Sequence, residues 1–327
     1  MEDFDVAVIG AGSAGLQAAL TLGRMRRHVA VFSTGHFRND PAAHMHNFLG
    51  HDGRPPAELR QAARRDLDRY PTVHFVEQEV TSVDDRTDGF VLTMRGDAAP
   101  LRVRRVILAT GIRDSLPNIP GLTELFGDVV AHCPYCHGYE FADAPVAILG
   151  ATPHVPMLAA LVERIATDIT VLADATLPEQ ALADALTRMG VKVLPDRVTE
   201  VRRGDRQAVR VHFADGATAE FGGMFVAPSW SQAAPFAQQL ELETAALGGV
   251  IIDAMGRTSR SGVYAAGDLA HHRELPVPLA SVLTAAAAGL VAATSCDRDL
   301  ALEDNGSVET LDDPARRRAQ RHKCSDR

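Results

Sequence analysis

Short apolar runs recur along the chain, each followed by glycine, proline or a polar turn. Residues 5–9 and 28–32 read as buried strands with an alanine- and leucine-rich helix between them. Residues 56–70 form a polar, arginine-rich amphipathic pattern, a surface helix. From residue 73 the pattern turns β-like, at 73–76, 80–83, 90–94 and 101–103, with Asp- and Gly-containing turns between. Residues 106–109 then return as a buried strand ending at Thr110-Gly111. Pro117, Pro120 and Gly121 break the pattern, as a linker would. Beyond them, residues 146–149 and 169–172 again read as buried strands, with a helix after the first. Residues 191–226 alternate short strands and turns, and Trp230 and Phe236 read as core or interface residues. The last strands fall at 250–253 and 262–266. A final apolar helix starts near Pro278-Leu279-Ala280-Ser281 and runs to about Thr294.

With 327 residues the chain has room for about two domains. Its 33 Lys and Arg against 42 Asp and Glu give a net charge of −9, which argues against a nucleic-acid partner. Residues 285–293 are apolar but too short to span a bilayer, so no membrane partner is expected. No basic n-region precedes the first strand, so no signal peptide is expected. Of the 4 cysteines, Cys133, Cys136, Cys296 and Cys324, only the first pair is close in sequence. That usage fits a reducing cytoplasm in which a disulfide is catalytic.

The pair lies in His132-Cys133-Pro134-Tyr135-Cys136-His137-Gly138-Tyr139-Glu140. A C-x-x-C spacing can close a small disulfide, and flanking histidines can move protons to and from sulfur at neutral pH. Zinc is the competing reading, but no second cysteine pair follows at usable spacing. His137 is the favoured acid/base; His132 is placed either to catalyse or to support. A second histidine-rich stretch, with His36, His44, His46 and His51, reads as a loop lining a proton-handling pocket in preference to a metal site, because it has no cysteine.

Gly10-Ala11-Gly12-Ser13-Ala14-Gly15 follows a strand and opens a helix, the context in which G-x-G-x-x-G binds a dinucleotide. Gly10 allows the turn, Gly12 lets the backbone approach a pyrophosphate, and Gly15 lets the helix pack on the strand. At the end of the second strand, Ser33 and Thr34 stand where an acid often grips the ribose. The strand at 146–149 leads into Gly150-Ala151-Thr152-Pro153-His154-Val155-Pro156, a similar turn that keeps only its first glycine. Its prolines remove backbone donors where phosphate would need them. Asp174 could reach a ribose, but no Lys or Arg follows before Arg188 to hold a 2′-phosphate.

In order and spacing, Gly10 to Gly15, Leu108-Ala109-Thr110-Gly111, the C-x-x-C and Gly262-Val263-Tyr264-Ala265-Ala266-Gly267-Asp268 resemble the low-molecular-weight thioredoxin reductases. The resemblance covers about residues 5–295. It implies a two-domain α/β fold: a Rossmann-like FAD-binding domain, residues 1–116 and 245–295, with an inserted NAD(P)-binding-like domain, residues 117–244, that carries the C-x-x-C. Residues 296–327 would form a flexible tail. It also implies a homodimer. The cofactor-binding set it implies is Gly10, Gly12, Ser13, Ala14, Gly15, Ser33, Asn47, Val80, Thr110, Gly111, Gly267, Asp268, Ser281 and Val282. Cys136 would contact the flavin and Cys133 would exchange with substrate.

The departures from that family point elsewhere. The second glycine turn and the basic cluster after the next strand are missing, and Pro134-Tyr135 and His137 replace the usual residues. Cys-Pro-Tyr-Cys-His-Gly-Tyr-Glu, with Arg38-Asn39 and His44-Met45-His46, looks like the gliotoxin- and holomycin-type flavin dithiol oxidases. These imply closure of a disulfide in a small natural product, with electrons passed to O2. A thioredoxin reductase-like enzyme using NAD(P)H or ferredoxin is the enzymatic alternative, and a flavin-free redox sensor the non-enzymatic one.

Overall fold

The computed structural model describes residues 4–175, 179–205, 207–275 and 278–306. The chain divides into two compact units, one of residues 1–34, 67–109 and 236–327, the other of residues 35–66 and 110–235.

In the first unit, strand Phe4–Ile9 pairs in parallel with Val29–Phe32 on one side and with Leu101–Leu108 on the other. These strands read as unbroken apolar runs because helices and loops cover both faces. Leu101–Leu108 is one strand, where the pattern suggests two short ones. Its first half pairs antiparallel with Gly89–Met94 and its second half pairs in parallel with Val263–Ala265. Helix Ser13–Arg24 packs along the final helix, Val282–Asp304.

That final helix continues ten residues beyond Thr294, so residues 296–304 belong to the folded body and not to a tail. The apolar pattern fades there, but carboxylates take over: Asp297 pairs with Arg27 at 2.7 Å, Asp299 with Arg257 at 2.8 Å and Asp304 with Arg104 at 2.6 Å. Asp299 also accepts from the Tyr264 hydroxyl. Burial would raise its pKa, yet the hydrogen bonds from Arg257 and Tyr264 hold it below the usual carboxylate range. Cys296 is buried in this helix, and burial pushes its thiol pKa up, which makes it an inert packing residue. Residues 307–327, including Cys324, lie outside the described residues.

The second unit is built on a five-stranded sheet. Pro145–Leu149 lies between Asp168–Leu172 and Gly223–Val226, all parallel. Alternate residues serve opposite faces. Ala147, Leu149, Leu172, Met224 and Val226 pack against Val201, Val209, Val211 and Phe221 of a three-stranded sheet. Val146, Ile148, Val171 and Phe225 pack against Val155, Ala159, Val162 and Leu186 of two helices. Trp230 lies on strand Ser229–Gln232, which pairs with Ile112–Ser115, a strand the sequence pattern does not announce. Among the described residues no helix is long and apolar enough to cross a membrane.

Candidate redox-active site

The first glycine turn has the geometry that a bound pyrophosphate requires. Gly10 sits at φ 110°, a conformation open to glycine, and its N–H donates to Phe32 O at 3.0 Å. A Cβ on Gly15 would come 1.8 Å from the Gly10 carbonyl oxygen, so only glycine lets the helix meet the strand here. A Cβ on Gly12 would meet nothing within 4 Å: the backbone faces open space. Gly12 caps helix Ser13–Arg24 without a side-chain bond, and no acid occupies the first turn. The first intrahelical bond runs from Leu16 N to Gly12 O, which leaves the N–H groups of Ser13, Ala14 and Gly15 pointing outward. Donors, helix dipole and absent side chains together fit an anion of this kind.

The first unit also holds other predicted residues. A Cβ on Gly267, at φ 83°, would lie 3.0 Å from Ala14 Cβ, which places Gly267 and Asp268 beside the first helical turn. Ser281 caps the final helix and accepts from Thr284 N at 3.0 Å, so the Val282 N–H faces away from the helix. Val80 is buried at the start of strand Val80–Arg86, and Ser33 N–H donates to Val76 O at 3.1 Å. Sequence reading misses Gly289, where a Cβ would come 2.0 Å from the Ala14 carbonyl oxygen. Its only signal is one glycine in an alanine-rich helix, the position at which the two helices close on each other.

The other predicted residues fall in the second unit. Thr110 and Gly111 follow strand Leu101–Leu108 after Ala109, and the Gly111 carbonyl accepts from Ala233 N at 3.2 Å. Asn47 takes a left-handed conformation, φ 61°, and its N–H donates to Asp52 Oδ1 at 2.7 Å. Cys133 and Cys136 form a disulfide with their Cα atoms 5.3 Å apart, both half-buried. Cys133 precedes a one-turn helix, Pro134–His137, that starts on a proline with no donor to lose; the Cys133 carbonyl accepts from Cys136 N and His137 N, each at 3.2 Å. Gly138 is needed below the turn, since a Cβ there would lie 2.4 Å from the Pro134 carbonyl oxygen and 3.0 Å from Ile165 Cδ1.

His137 is held by its Nε2–H, which donates to the Gly127 carbonyl at 3.2 Å. That bond fixes the tautomer and leaves Nδ1 as the basic nitrogen, buried and with no hydrogen-bond partner among the described residues. Burial lowers the pKa of His137 from the ordinary 6.5, and the Gly127 carbonyl and the Glu140 carboxylate offset only part of that. The ring is therefore neutral at pH 7 and able to accept a proton. His132 is differently placed. It stacks on Phe126 with centroids 5.6 Å apart, and its Nε2 lies 3.5 Å from Arg38, whose guanidinium forks onto Asp114 at 2.7 and 2.9 Å.

The histidine-rich loop belongs to this unit, but its four imidazoles do not converge. His36 and His44 are exposed, and His51 packs on Phe48 at 4.9 Å. Only His46 joins the redox turn, with Nε2 3.3 Å from Glu140 and Nδ1 3.5 Å from Asp52. Among the described residues no group of His, Cys, Asp or Glu is arranged to hold a metal ion.

The second dinucleotide-type turn lacks two backbone donors, at Pro153 and Pro156. Gly150 keeps the turn conformation, φ 106°, but helix Val155–Val162 begins on His154 with no side-chain cap and carries a proline in its first turn. Asp174 is already engaged, its carboxylate accepting from Val198 N at 2.8 Å.

Comparison with known proteins agrees with this geometry. The family model described as pyridine nucleotide-disulphide oxidoreductase matches residues 4–289. The thioredoxin reductase sirT of Leptosphaeria maculans is 34% identical over 306 residues, 88% of this chain and 92% of that protein. The crystal structure of HlmI is similar at a TM-score of 0.83 and 33% identity, over 98% of this chain and 97% of HlmI. An oxidoreductase structure from Agrobacterium tumefaciens is similar at a TM-score of 0.83 and 33% identity, over 92% of this chain and 99% of that one. A G-x-G-x-x-G turn open to an anion, a disulfide in C-x-x-C and matches over nearly the whole length lead to one conclusion: the chain belongs to the pyridine nucleotide-disulphide oxidoreductases, among the thioredoxin reductase-like flavoproteins.

Proposed function

We propose that this protein is an FAD-dependent dithiol oxidase that closes an intramolecular disulfide in a small natural-product dithiol and reduces O2 to H2O2. The observation that carries this reading is the state of the second nucleotide turn. The unit that holds the Cys133–Cys136 disulfide retains the strand, the turn and the helix, but prolines replace the phosphate donors and the ribose-position acid is tied to Val198. Electrons then enter through sulfur, not through a nicotinamide.

The FAD would be held by the outward N–H groups of Ser13, Ala14 and Gly15, by Asp268 and by the end of the helix at Ser281 and Val282; the family resemblance adds Gly10, Gly12, Ser33, Asn47, Val80, Thr110, Gly111 and Gly267 to the set. When bound, it supplies two-electron acceptance from the cysteine pair and release of those electrons to O2 as H2O2.

The protein's own steps are thiol–disulfide exchange and proton transfer. One substrate thiolate attacks Cys133 Sγ, forming a mixed disulfide and releasing Cys136 as thiolate. The second substrate thiolate attacks the substrate sulfur bonded to Cys133 in that mixed disulfide, which forms the product disulfide, frees Cys133 as thiolate and leaves the product oxidised by two electrons. Two substrate protons must leave, and His137 Nδ1, neutral and without another partner, accepts the one that accompanies the Cys136 step. His132, stacked and beside Arg38, orients the strand end before Cys133.

A reductase that runs electrons from NAD(P)H toward thioredoxin-like proteins is the alternative, and it would need cationic side chains after strand Asp168–Leu172. None occurs before Arg188. The test is direct: a small dithiol, with no nicotinamide, should drive O2 consumption and H2O2 release in equal amounts. NADPH-dependent reduction of a disulfide protein at a comparable rate would replace this reading with the reductase one. The reaction is expected from a homodimer, checked by light scattering of the yellow protein.

A further inference from the structure

The two segments that distinguish this chain from ordinary thioredoxin reductases, His44-Met45-His46 and Cys-Pro-Tyr-Cys-His-Gly-Tyr-Glu, are far apart in sequence yet physically joined. The junction is His46, whose two ring nitrogens face Glu140 and Asp52 at 3.3 and 3.5 Å. Glu140 lies three residues beyond His137, in the 3-10 turn Tyr139–Phe141 that follows the redox helix. The loop is anchored there from several sides. Arg38 forks onto Asp114, and Arg60 ties Asn39 and Asp40 together at 2.8 and 2.6 Å while covering the Phe37 ring at 4.1 Å. Gly127 accepts the loop closely enough that a Cβ would lie 2.7 Å from Pro41. The carbonyl of that same Gly127 holds the His137 ring. The loop thus braces both the residue that fixes His137 and the carboxylate that follows it.

We propose that His46 and Glu140 form a positioning pair through which the histidine loop sets the proton affinity of His137. The charges that face His137 are Glu140 on the turn that follows it, His46 on the loop and Asp128 next to Gly127, and Asp128 is itself paired with Arg203. Glu140 favours a proton on His137, while a charged His46 opposes it. His46 pairs with Glu140 and so divides that carboxylate between the two rings. Neither residue touches the sulfurs in this scheme; they act on the base through charge. The inference rests on His137 as the acid/base of the proposed reaction, but its electrostatic half can be read without turnover.

The experiment uses the full-length yellow protein with 13C-labelled histidine, its His137 signal assigned by loss in His137→Asn. NMR titration of that signal is compared in wild type, Glu140→Gln and His46→Gln. The expected result is opposite displacement, with the His137 midpoint lower in Glu140→Gln and higher in His46→Gln. In anaerobic single-turnover reduction by dithiothreitol, the acid limb should follow the same order, with rates at pH 6 differing about two- to fivefold. A merely structural pair would give displacements of the same sign, or none, and either outcome overturns the proposal. If the signal moves as expected but the rate limb does not follow, the coupling stands and the role of His137 as the acid/base fails. Should His46→Gln not fold, His46→Asn is the second variant: it too removes the opposing imidazole, and its His137 midpoint is expected to rise, with a fall or no change counting against the proposal.

Discussion

The chain contains two strand–turn–helix units of dinucleotide type, and they have diverged in instructive ways. Both keep the opening glycine in nearly the same conformation, φ 110° at Gly10 and 106° at Gly150. After that residue they part. The first turn presents bare backbone, with glycine where a Cβ would strike the strand and a helix end free of side-chain caps. In the second, Thr152, Pro153, His154 and Pro156 fill the corresponding stretch, and the acid beyond the next strand holds the first residue of strand Val198–Arg203. A helix N-terminus is worth about 0.3 to 1 kcal/mol to an anion at an exposed site, so a fold can keep the helix and still lose the ligand once donors and clearance go. The fold survives because Val146, Ile148, Val155, Ala159 and Val162 still pack. The comparison teaches that the sheet and its helix are maintained by apolar burial, while nucleotide binding depends on a few residues at one turn.

The strongest way to break this account is at sulfur. Cys136→Ser should stay yellow but lose flavin bleaching by a dithiol, a drop of several orders of magnitude; bleaching at the wild-type rate would contradict the electron path. The next test addresses the intact turn. Gly12→Asp has room for its side chain but brings a carboxylate to an anion site, so the protein should fold and lose its yellow colour, with flavin affinity falling at least about a hundredfold. Retained colour would mean that this turn does not hold the cofactor.

The proton step predicts a smaller effect. Burial lowers the pKa of His137 in the folded state, so the acid limb of single-turnover dithiol oxidation should fall below pH 6.5. His137→Asn should cut the rate at pH 7 by about 10²- to 10⁴-fold and remove that limb. The sign for stability follows from linkage. The unfolded chain binds the extra proton first, so stability declines as pH drops below 6.5, and the variant should flatten that decline in thermal melts. Smallest of all, Pro153→Ala and Pro156→Ala should change nicotinamide-driven bleaching by less than about twofold and stability by no more than about 1 kcal/mol. A large gain of NADPH reactivity would show that two prolines alone separate this chain from a reductase.

Much of this was readable in the sequence because the signals are local. Gly10 to Gly15 sits between an apolar strand and a helix, and the C-x-x-C needs only its spacing. Strands 73–76 and 146–149 announce themselves by apolar runs. What escaped depends on distance along the chain. Strand Ile112–Ser115 has the composition Ile-Arg-Asp-Ser and exists because it pairs with Ser229–Gln232. Residues 296–304 carry a charged pattern that reads as tail, but three arginines from elsewhere turn those charges into anchors. The histidine loop looked like four equivalent candidates. Only packing singles out His46, and no periodicity could pair it with Glu140.

The most direct measurement of the central claim is an anaerobic titration of the purified yellow protein, with flavin absorbance followed on adding a small dithiol, NADH or NADPH. The account predicts rapid bleaching by the dithiol alone, with colour and an equivalent of H2O2 returning on admission of air. Rapid bleaching by NADPH, with the dithiol inert, would contradict it.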